Sequence, residues 1–218
     1  LFRLDARDKT LGTGEYVDDL VFADMLYAKA LRSAYPRARV LNIDASEAEA
    51  HPDCVRVIRA GDIPGNKKCG HLVKDWDALI GEGEITRYVG DAIVLVVTRS
   101  KESLDEVLAL VKVDYEELQP VTSPAMALEP DAPLVHENGN LLRREVLNRG
   151  DADAAIAGAA HVVTRHYSLP FTEHAFMEPE CAIAMPDGDD GLLLYTASQS
   201  IYDEQHEVAS LLGLPSHL

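Results

Sequence analysis

The first half of the chain contains alternating segments and short apolar runs that are typical of β-strands. Apolar residues from Leu104 to Val111 recur at helical spacing, so a helix capped by Ser100 is predicted there. The segment before this helix is apolar on both faces and rich in β-branched residues, which indicates a strand covered on both sides. The five predicted strands of this half are Met25–Leu31, Arg39–Ile43, Val55–Arg59, Arg87–Thr98 and Val111–Tyr115.

The order strand–helix–strand from Arg87 to Tyr115 predicts a right-handed crossover between adjacent parallel strands. Val94, Val96 and Leu104 are predicted to be core residues of this unit. A shorter helix is predicted upstream, where Ser46 and Glu49 have the spacing of a capping box with Ser46 as the N-cap.

Two segments of the chain lack a clear period. Residues 65–83 contain recurring glycine and lysine and the single tryptophan, Trp76. We expect a weakly structured surface loop there, and a lid over a substrate is the alternative interpretation. Prolines are dense between residues 119 and 150, which predicts an extended connection between two domains.

The second half of the chain shows clearer turn and cap signals. Asp151 is a residue type that is favoured at a helix N-cap, and Gly213 is favoured just after a helix C-terminus. The turn residues Pro186–Gly191 separate two apolar runs. The predicted elements are a helix over Ala152–Ala160, a strand over Val162–Tyr167, a β-hairpin of Cys181–Met185 and Leu192–Tyr195, and a helix over Asp203–Leu212.

Composition narrows the possible partners of the chain. Its 218 residues are 47% hydrophobic and 26% charged, which is typical of a globular protein. The net charge of −17 disfavours nucleic acid and anionic membrane surfaces, and no apolar run approaches the length of a membrane span. Cys54, Cys69 and Cys181 form no C-x-x-C pair, so we expect neither a disulfide scaffold nor an iron–sulfur centre in this chain. Such sparse cysteines indicate a reducing compartment, and we expect a cytoplasmic location.

The candidates for chemistry are His174, Glu178 and Gln199. The first two precede the predicted hairpin and Gln199 follows it, so the hairpin would bring all three to one edge of a sheet. The spacing of His174 and Glu178 would suit a metal on a helix, but Pro179 predicts an extended or turning segment instead. Buried, hydrogen-bonded structural groups are therefore the first interpretation, and a small metal-dependent hydrolase is one alternative function.

Two stretches of the second half, TEHAFMEPECAIA and YTASQSIYDEQHEVASLLGLP, resemble the start of the molybdopterin-binding region of the xanthine dehydrogenase and aldehyde oxidase family. TGEYVDDL, RSAYPRARVLNIDASEAEAHPDCVRVIRAGDIP, YVGDAIVLVV and VKVDYEELQPV resemble, in order, the α/β hammerhead domain of the same enzymes. The resemblance implies an α+β chain in three parts. These are a hammerhead domain with a mixed sheet and packed helices (1–122), a proline-rich connector (123–150) and the first part of an α+β molybdopterin-binding domain (151–218).

The resemblance also implies an activity: an oxidoreductase that hydroxylates a purine, another N-heterocycle or an aldehyde with oxygen from water. Molybdenum–molybdopterin would be the cofactor, and iron–sulfur clusters and FAD would lie on partner domains or subunits. Gln199 matches the family's glutamine that approaches an oxo ligand of molybdenum, where an amide N–H donates without adding charge. Glu173, His174 and Glu178 keep their structural interpretation.

Both ends of the sequence suggest a piece of a larger subunit. The chain begins with Leu1 rather than methionine, and the family's glycine-rich cofactor loop, substrate-clamping residues and catalytic glutamate would lie beyond Leu218. We therefore expect this piece to be inactive alone, with the remainder of the molybdopterin subunit as a partner. A non-catalytic hammerhead-type module for assembly or interaction is the alternative function.

Overall fold

The computed structural model describes residues 3–71, 73–176, 178–188 and 191–217, so Met177, Asp189 and Asp190 of the motifs above lie outside the described residues. The helices are α1 (Ala6–Leu11), α2 (Ser46–Glu49), α3 (Leu104–Ala109), α4 (Pro124–Ala127), α5 (Ala152–Ala157) and α6 (Ile201–Leu212). The strands are β1 (Tyr27–Arg32), β2 (Ala38–Asp44), β3 (Cys54–Ile58), β4 (Lys68–Cys69), β5 (Trp76–Asp77), β6 (Ala92–Thr98), β7 (Lys112–Glu117), β8 (Ala182–Asp187) and β9 (Gly191–Thr196).

Strand β6 is the centre of the hydrophobic core. It lies between β1 and β3 and runs antiparallel to both. Its residues Ile93, Val94 and Val96 are fully buried, which explains why this segment is apolar on both faces. The same core cluster includes Val40 of β2 and Val107 of α3, so it joins two sheets and the helix between them.

The predicted parallel crossover is wrong, and with it the prediction of a mixed sheet. Strand β7 pairs antiparallel with β2 in a separate sheet, and every ladder between the described strands is antiparallel. Both edges of β6 are already taken by β1 and β3, so β6 has no free edge for β7. The α+β class is confirmed, and the predicted core residues Val94, Val96 and Leu104 are buried.

Two of the three predicted helix N-caps differ in the structure. Helix α2 forms, but Ala45 occupies the N-cap position and the Ser46 hydroxyl donates to Asp44 Oδ1 at 2.6 Å, outside the helix. Helix α3 begins at Leu104, later than a cap at Ser100 would place it. The N-cap of α5 is confirmed, because the Asp151 carboxylate accepts the backbone N–H of Ala154 at 2.9 Å.

The segment 65–83 is not simply a surface loop, as the sequence predicted. Strands β4 and β5 pair within it, and Ile80 near its end is fully buried. The N–H of Ile80 donates to the carbonyl of Ala92 at 2.8 Å, which ties the segment to β6. Asp77 and Arg87 form an ion pair at 2.9 Å with side chains only 6% and 12% exposed.

The proline-rich connection is more ordered than an extended linker. It contains the short helix α4, and one side chain, Asn140, links three parts of it. The Asn140 amide donates to the carbonyls of Ala127 and Pro133 at 3.1 and 3.0 Å, and its oxygen accepts the N–H of Val135 at 2.8 Å. Arg87 then donates to the Val135 carbonyl at 3.2 Å, so the connection is attached to the first half.

In the second half, the predicted hairpin and terminal helix are confirmed as β8–β9 and α6. The predicted strand over Val162–Tyr167 is wrong, since no described residue of 161–176 is in a helix or strand. Val163 and Tyr167 are 76% and 82% exposed, and without a neighbouring strand their backbone groups have no ladder to join. In the part of the chain that the structure describes, no helix is long and apolar enough to cross a membrane.

Candidate functional site

The β8–β9 hairpin positions the candidate residues. Its ladder runs from Asp187 opposite Gly191 to Ala182 opposite Thr196, so the chain entering β8 lies beside the chain leaving β9. The ring of Tyr195 packs 5.8 Å from the ring of Phe22, which places the N-terminal segment against the hairpin. The hairpin therefore has a fixed neighbour on the side of the first half.

A cleft of about 710 Å³ lies at the open end of this hairpin. His174, Glu178 and Gln199 all line it, so the predicted convergence of these three residues is confirmed as geometry. Residues 179–181 and 196–198 supply most of the remaining wall. Apolar and polar side chains together thus surround a space of the size that small ligands occupy.

Glu178 is the charged residue of the cleft wall with the most partners. Its Oε1 atom lies 3.4 Å from Lys9 Nζ and 3.9 Å from Arg3 Nη2. A hydrogen bond from its own backbone N–H, together with the Lys9 ammonium, holds the pKa of the Glu178 carboxyl below its ordinary value. The carboxylate is therefore ionised at neutral pH and anchors this wall to the N-terminal segment.

His174 is exposed, so its interpretation as a buried structural group is wrong. Its backbone N–H donates to the Glu173 carboxylate at 3.0 Å. The next residue, Ala175, has φ +52°, a left-handed conformation that is uncommon outside glycine. The segment turns sharply before Glu178, in agreement with the extended or turning path that Pro179 predicted.

Gln199 is exposed at the cleft, and its side-chain amide has no hydrogen-bond partner among the described residues. Its neighbours are fixed: the Thr196 hydroxyl donates to Glu204 at 2.9 Å, and the Ser198 hydroxyl accepts the Ser200 N–H at 3.0 Å. Ser200 is the N-cap residue of α6, so Gln199 stands directly before that helix. The amide is thus free to donate to a ligand in the cleft.

Sequence reasoning missed Lys9 and Tyr16. The Lys9 ammonium lies 4.1 Å from the centre of the Tyr16 ring as well as beside Glu178. A lysine in a short N-terminal helix gives no local signal of a partner 169 positions away.

The geometry does not support a metal ion bound by side chains of the described residues, which the alternative hydrolase function would require. Within residues 3–71, 73–176, 178–188 and 191–217, no group of three or more His, Cys, Asp or Glu side chains could hold a metal ion. Glu178 is engaged by two cations instead. The three cysteines are free, and burial raises the pKa of each thiol.

Comparison with protein families identifies both halves of the chain. Residues 11–119 match the family described as the a/b hammerhead domain of aldehyde oxidase and xanthine dehydrogenase. Residues 135–218 match the molybdopterin cofactor-binding domain. The cleft described above lies within the second match.

Individual relatives agree with the family comparison. The chain is 35% identical to a probable xanthine dehydrogenase subunit of Bacillus subtilis, over 98% of this chain and 28% of that protein. It is 33% identical to the nicotinate dehydrogenase large molybdopterin subunit of Eubacterium barkeri, over 98% of this chain and 50% of that protein. The crystal structure of quinoline 2-oxidoreductase from Pseudomonas putida 86 superposes with a TM-score of 0.86 at 29% identity, over 100% of this chain and 29% of that chain. The chain thus spans half or less of the length of these relatives.

Proposed function

Because the chain belongs to the aldehyde oxidase and xanthine dehydrogenase family, we propose that it contributes the hammerhead domain and the first part of the molybdopterin-binding domain to a molybdenum hydroxylase. The enzyme would be an oxidoreductase that hydroxylates a carbon of a small molecule with oxygen from water. We propose the division 1–122, 123–150 and 151–218 for the hammerhead domain, the connector and the molybdopterin-binding part.

An N-heterocycle is the substrate class that we propose first. The three relatives described above are named for xanthine, nicotinate and quinoline, and all three compounds are nitrogen heterocycles. Purines belong to this class. An aldehyde is the alternative substrate class, since another relative is an aldehyde oxidase from Rattus norvegicus, 30% identical over 94% of this chain.

The observation that carries the proposal is the cleft that Glu178 and Gln199 both line. Its volume of about 710 Å³ and the unengaged amide of Gln199 fit a bound cofactor that presents oxygen ligands. A neutral donor suits such a site, because an amide N–H stabilises a metal-bound oxygen without placing a charge beside the metal.

The residues of this chain would bind and orient, while the chemistry belongs to the cofactor. Molybdenum–molybdopterin, when bound, supplies the oxidation and the water-derived oxygen. Gln199 would donate one hydrogen bond from its side-chain amide into the cleft. Glu178, held by Lys9 and Arg3, would keep its part of the cleft wall in place as an anion.

Electron transfer would need groups from outside this chain. We propose that iron–sulfur clusters and FAD lie on partner domains or subunits, together with the remainder of the molybdopterin subunit. The three cysteines of the chain lack the spacing of an iron–sulfur ligand set. Their free state supports a reducing compartment, and we propose the cytoplasm.

Elemental analysis of the complete gene product, purified from its own host with its natural partners, tests this proposal. We expect about one molybdenum per copy of this chain and iron in the partners. Zinc alone, or no metal, in a preparation that still contains all partners would overturn the hydroxylase proposal. That result would instead support the assembly or interaction module.

A further inference from the structure

A segment of the hammerhead half holds the C-terminus of α6 in the other half. We call residues 65–71 and 73–74 the docking loop. The N–H of Gly65 donates to the carbonyl of Leu211 at 2.9 Å, and the N–H of Asn66 donates to the carbonyl of Ser210 at 2.9 Å. The last carbonyls of a helix have no partner inside the helix, so these two bonds complete the end of α6.

Gly65 can make this contact only because it has no side chain. A Cβ atom at this position would overlap the carbonyl oxygen of Ser210 and lie 2.5 Å from the nitrogen of Gly213. It would also lie 2.8 Å from the carbonyl oxygen of Leu211. All three are backbone atoms of one helix end, so no side-chain rotation relieves the overlap, and the docking loop and the end of α6 would have to move apart.

The docking loop also contacts the rest of α6. Lys74 Nζ lies 2.9 Å from Glu207 Oε1, near the middle of the helix. His71 Nδ1 lies 3.6 Å from Asp203 Oδ2, in the first turn. A cavity of about 330 Å³ at this end is lined by both His71 and Gln199. The docking loop therefore runs beside α6 from its last turn to the residue that precedes its first.

We propose that the docking loop is a positioning element for Gln199, acting through α6. This inference rests on the proposed function, since it assigns a role to the hammerhead half in placing the cofactor-facing amide. Gln199 directly precedes the N-cap of α6, so a rigid displacement of the 12-residue helix carries the amide with it. A misplacement of about 1 Å at a reacting centre can cost on the order of 10²-fold in rate.

Gly65→Ala in the complete enzyme, with its partners and cofactor, tests the proposal. Gly61→Ala is the matched control, because a Cβ at Gly61 meets no atom within 4 Å. We expect amide exchange at Asn66 to become at least about tenfold faster in Gly65→Ala and to stay unchanged in Gly61→Ala. Unchanged exchange in Gly65→Ala would overturn the docking contact itself.

Turnover then tests whether the docking loop acts through Gln199. We expect Gly65→Ala to lower kcat by about 10- to 100-fold with little change in KM. The double variant Gly65→Ala with Gln199→Ala should match Gln199→Ala alone within about twofold, because the two changes disturb one contact. Reductions that multiply would show that Gly65 acts independently of Gln199 and would overturn the positioning role.

Lys74→Met provides a milder second variant if Gly65→Ala does not fold. It removes one of the contacts along α6, and Lys112→Met, which removes an exposed pair with Glu47, is its control. We expect Lys74→Met to lower kcat less than Gly65→Ala does. In the Gln199→Ala background, Lys74→Met should cause no further reduction. If the purified wild-type enzyme with all its partners contains no molybdenum, the proposed function and the positioning role are both overturned. The amide-exchange experiment would still show whether the docking loop binds α6.

Discussion

The ammonium of Lys9 lies 3.4 Å from the carboxylate of Glu178 and links the N-terminal segment to the wall of the cleft. Lys9 is 23% exposed and also lies over the ring of Tyr16, so its position is fixed from two sides. Arg3 adds a second, longer contact of 3.9 Å to the same carboxylate. The wall that carries Glu178 thus depends on residues at the far end of the sequence.

The lowered pKa of Glu178 predicts a dependence of stability on pH. A carboxyl whose pKa is lower in the folded state stabilises the protein above its unfolded pKa, about 4.3. That stabilisation is lost as the pH falls through the folded pKa. We therefore expect Glu178→Gln to lower Tm at neutral pH and to have little effect in strong acid, measured by calorimetry on the full-length protein.

Glu180→Gln is the control for this experiment. Glu180 lies two positions away, is exposed, and forms no ion pair with any described residue. Its replacement should leave the pH profile of Tm as it is in the wild type. Equal profiles for Glu178→Gln and wild type would contradict the assigned ion pair.

Gln199→Ala should slow turnover of the complete enzyme on the order of 10²-fold, because the proposed hydrogen bond from Gln199 to a reacting oxygen would be lost. The fold should be unchanged, since the Gln199 side chain is exposed. Gln119→Ala, at another exposed glutamine, is the control and should keep wild-type kcat. Steady-state kinetics and molybdenum content measured together separate a slower reaction from a lost cofactor, and unaltered turnover would show that the residue is misassigned.

Ile80→Ala should destabilise the protein by about 2–5 kcal/mol, because it leaves a cavity in the core. Ile80 is 0% exposed, although it belongs to the segment that the sequence predicted as a surface loop. Val73→Ala, in the same segment but 39% exposed, should change stability by less than about 0.5 kcal/mol. Urea unfolding of both variants checks this difference, and equal values would mean that Ile80 is not packed in the core.

Asp77→Ala should cost about 3–5 kcal/mol, because it leaves the nearly buried Arg87 without its carboxylate partner. Glu47→Ala removes a pair with Lys112 in which both side chains are more than half exposed. That control should cost no more than about 1 kcal/mol. Chemical denaturation measures both, and a small effect of Asp77→Ala would indicate that water reaches Arg87.

The sequence predicted those elements whose signals are local. The apolar run of β6 indicates a central strand, and the turn between β8 and β9 indicates a hairpin. Asp151 was predicted correctly as an N-cap, since that bond reaches only to Ala154. The convergence of His174, Glu178 and Gln199 followed from the hairpin alone, because pairing two strands fixes which of their ends meet.

Relationships that depend on distant partners were not predicted. The parallel pairing of β6 and β7 failed because β1 and β3 compete for the edges of β6, and local pattern does not rank such competitors. The strand over Val162–Tyr167 failed because an apolar pattern specifies a strand only when a neighbouring strand is present. Two contacts depend on packing between the two halves of the chain, for which a single sequence carries no signal. They are the ion pair of Lys9 with Glu178 and the hydrogen bond from Gly65 to Leu211.

The contact between Gly65 and the end of α6 has a consequence for the order of folding. The hammerhead strands and the docking loop are translated long before α6 leaves the ribosome, and domains generally fold in the order of their synthesis. A hammerhead half that has already folded would then offer the N–H groups of Gly65 and Asn66 to the last turn of α6 as that helix forms. The early-made half would act on the later one as a template during synthesis, in addition to any role in the mature enzyme.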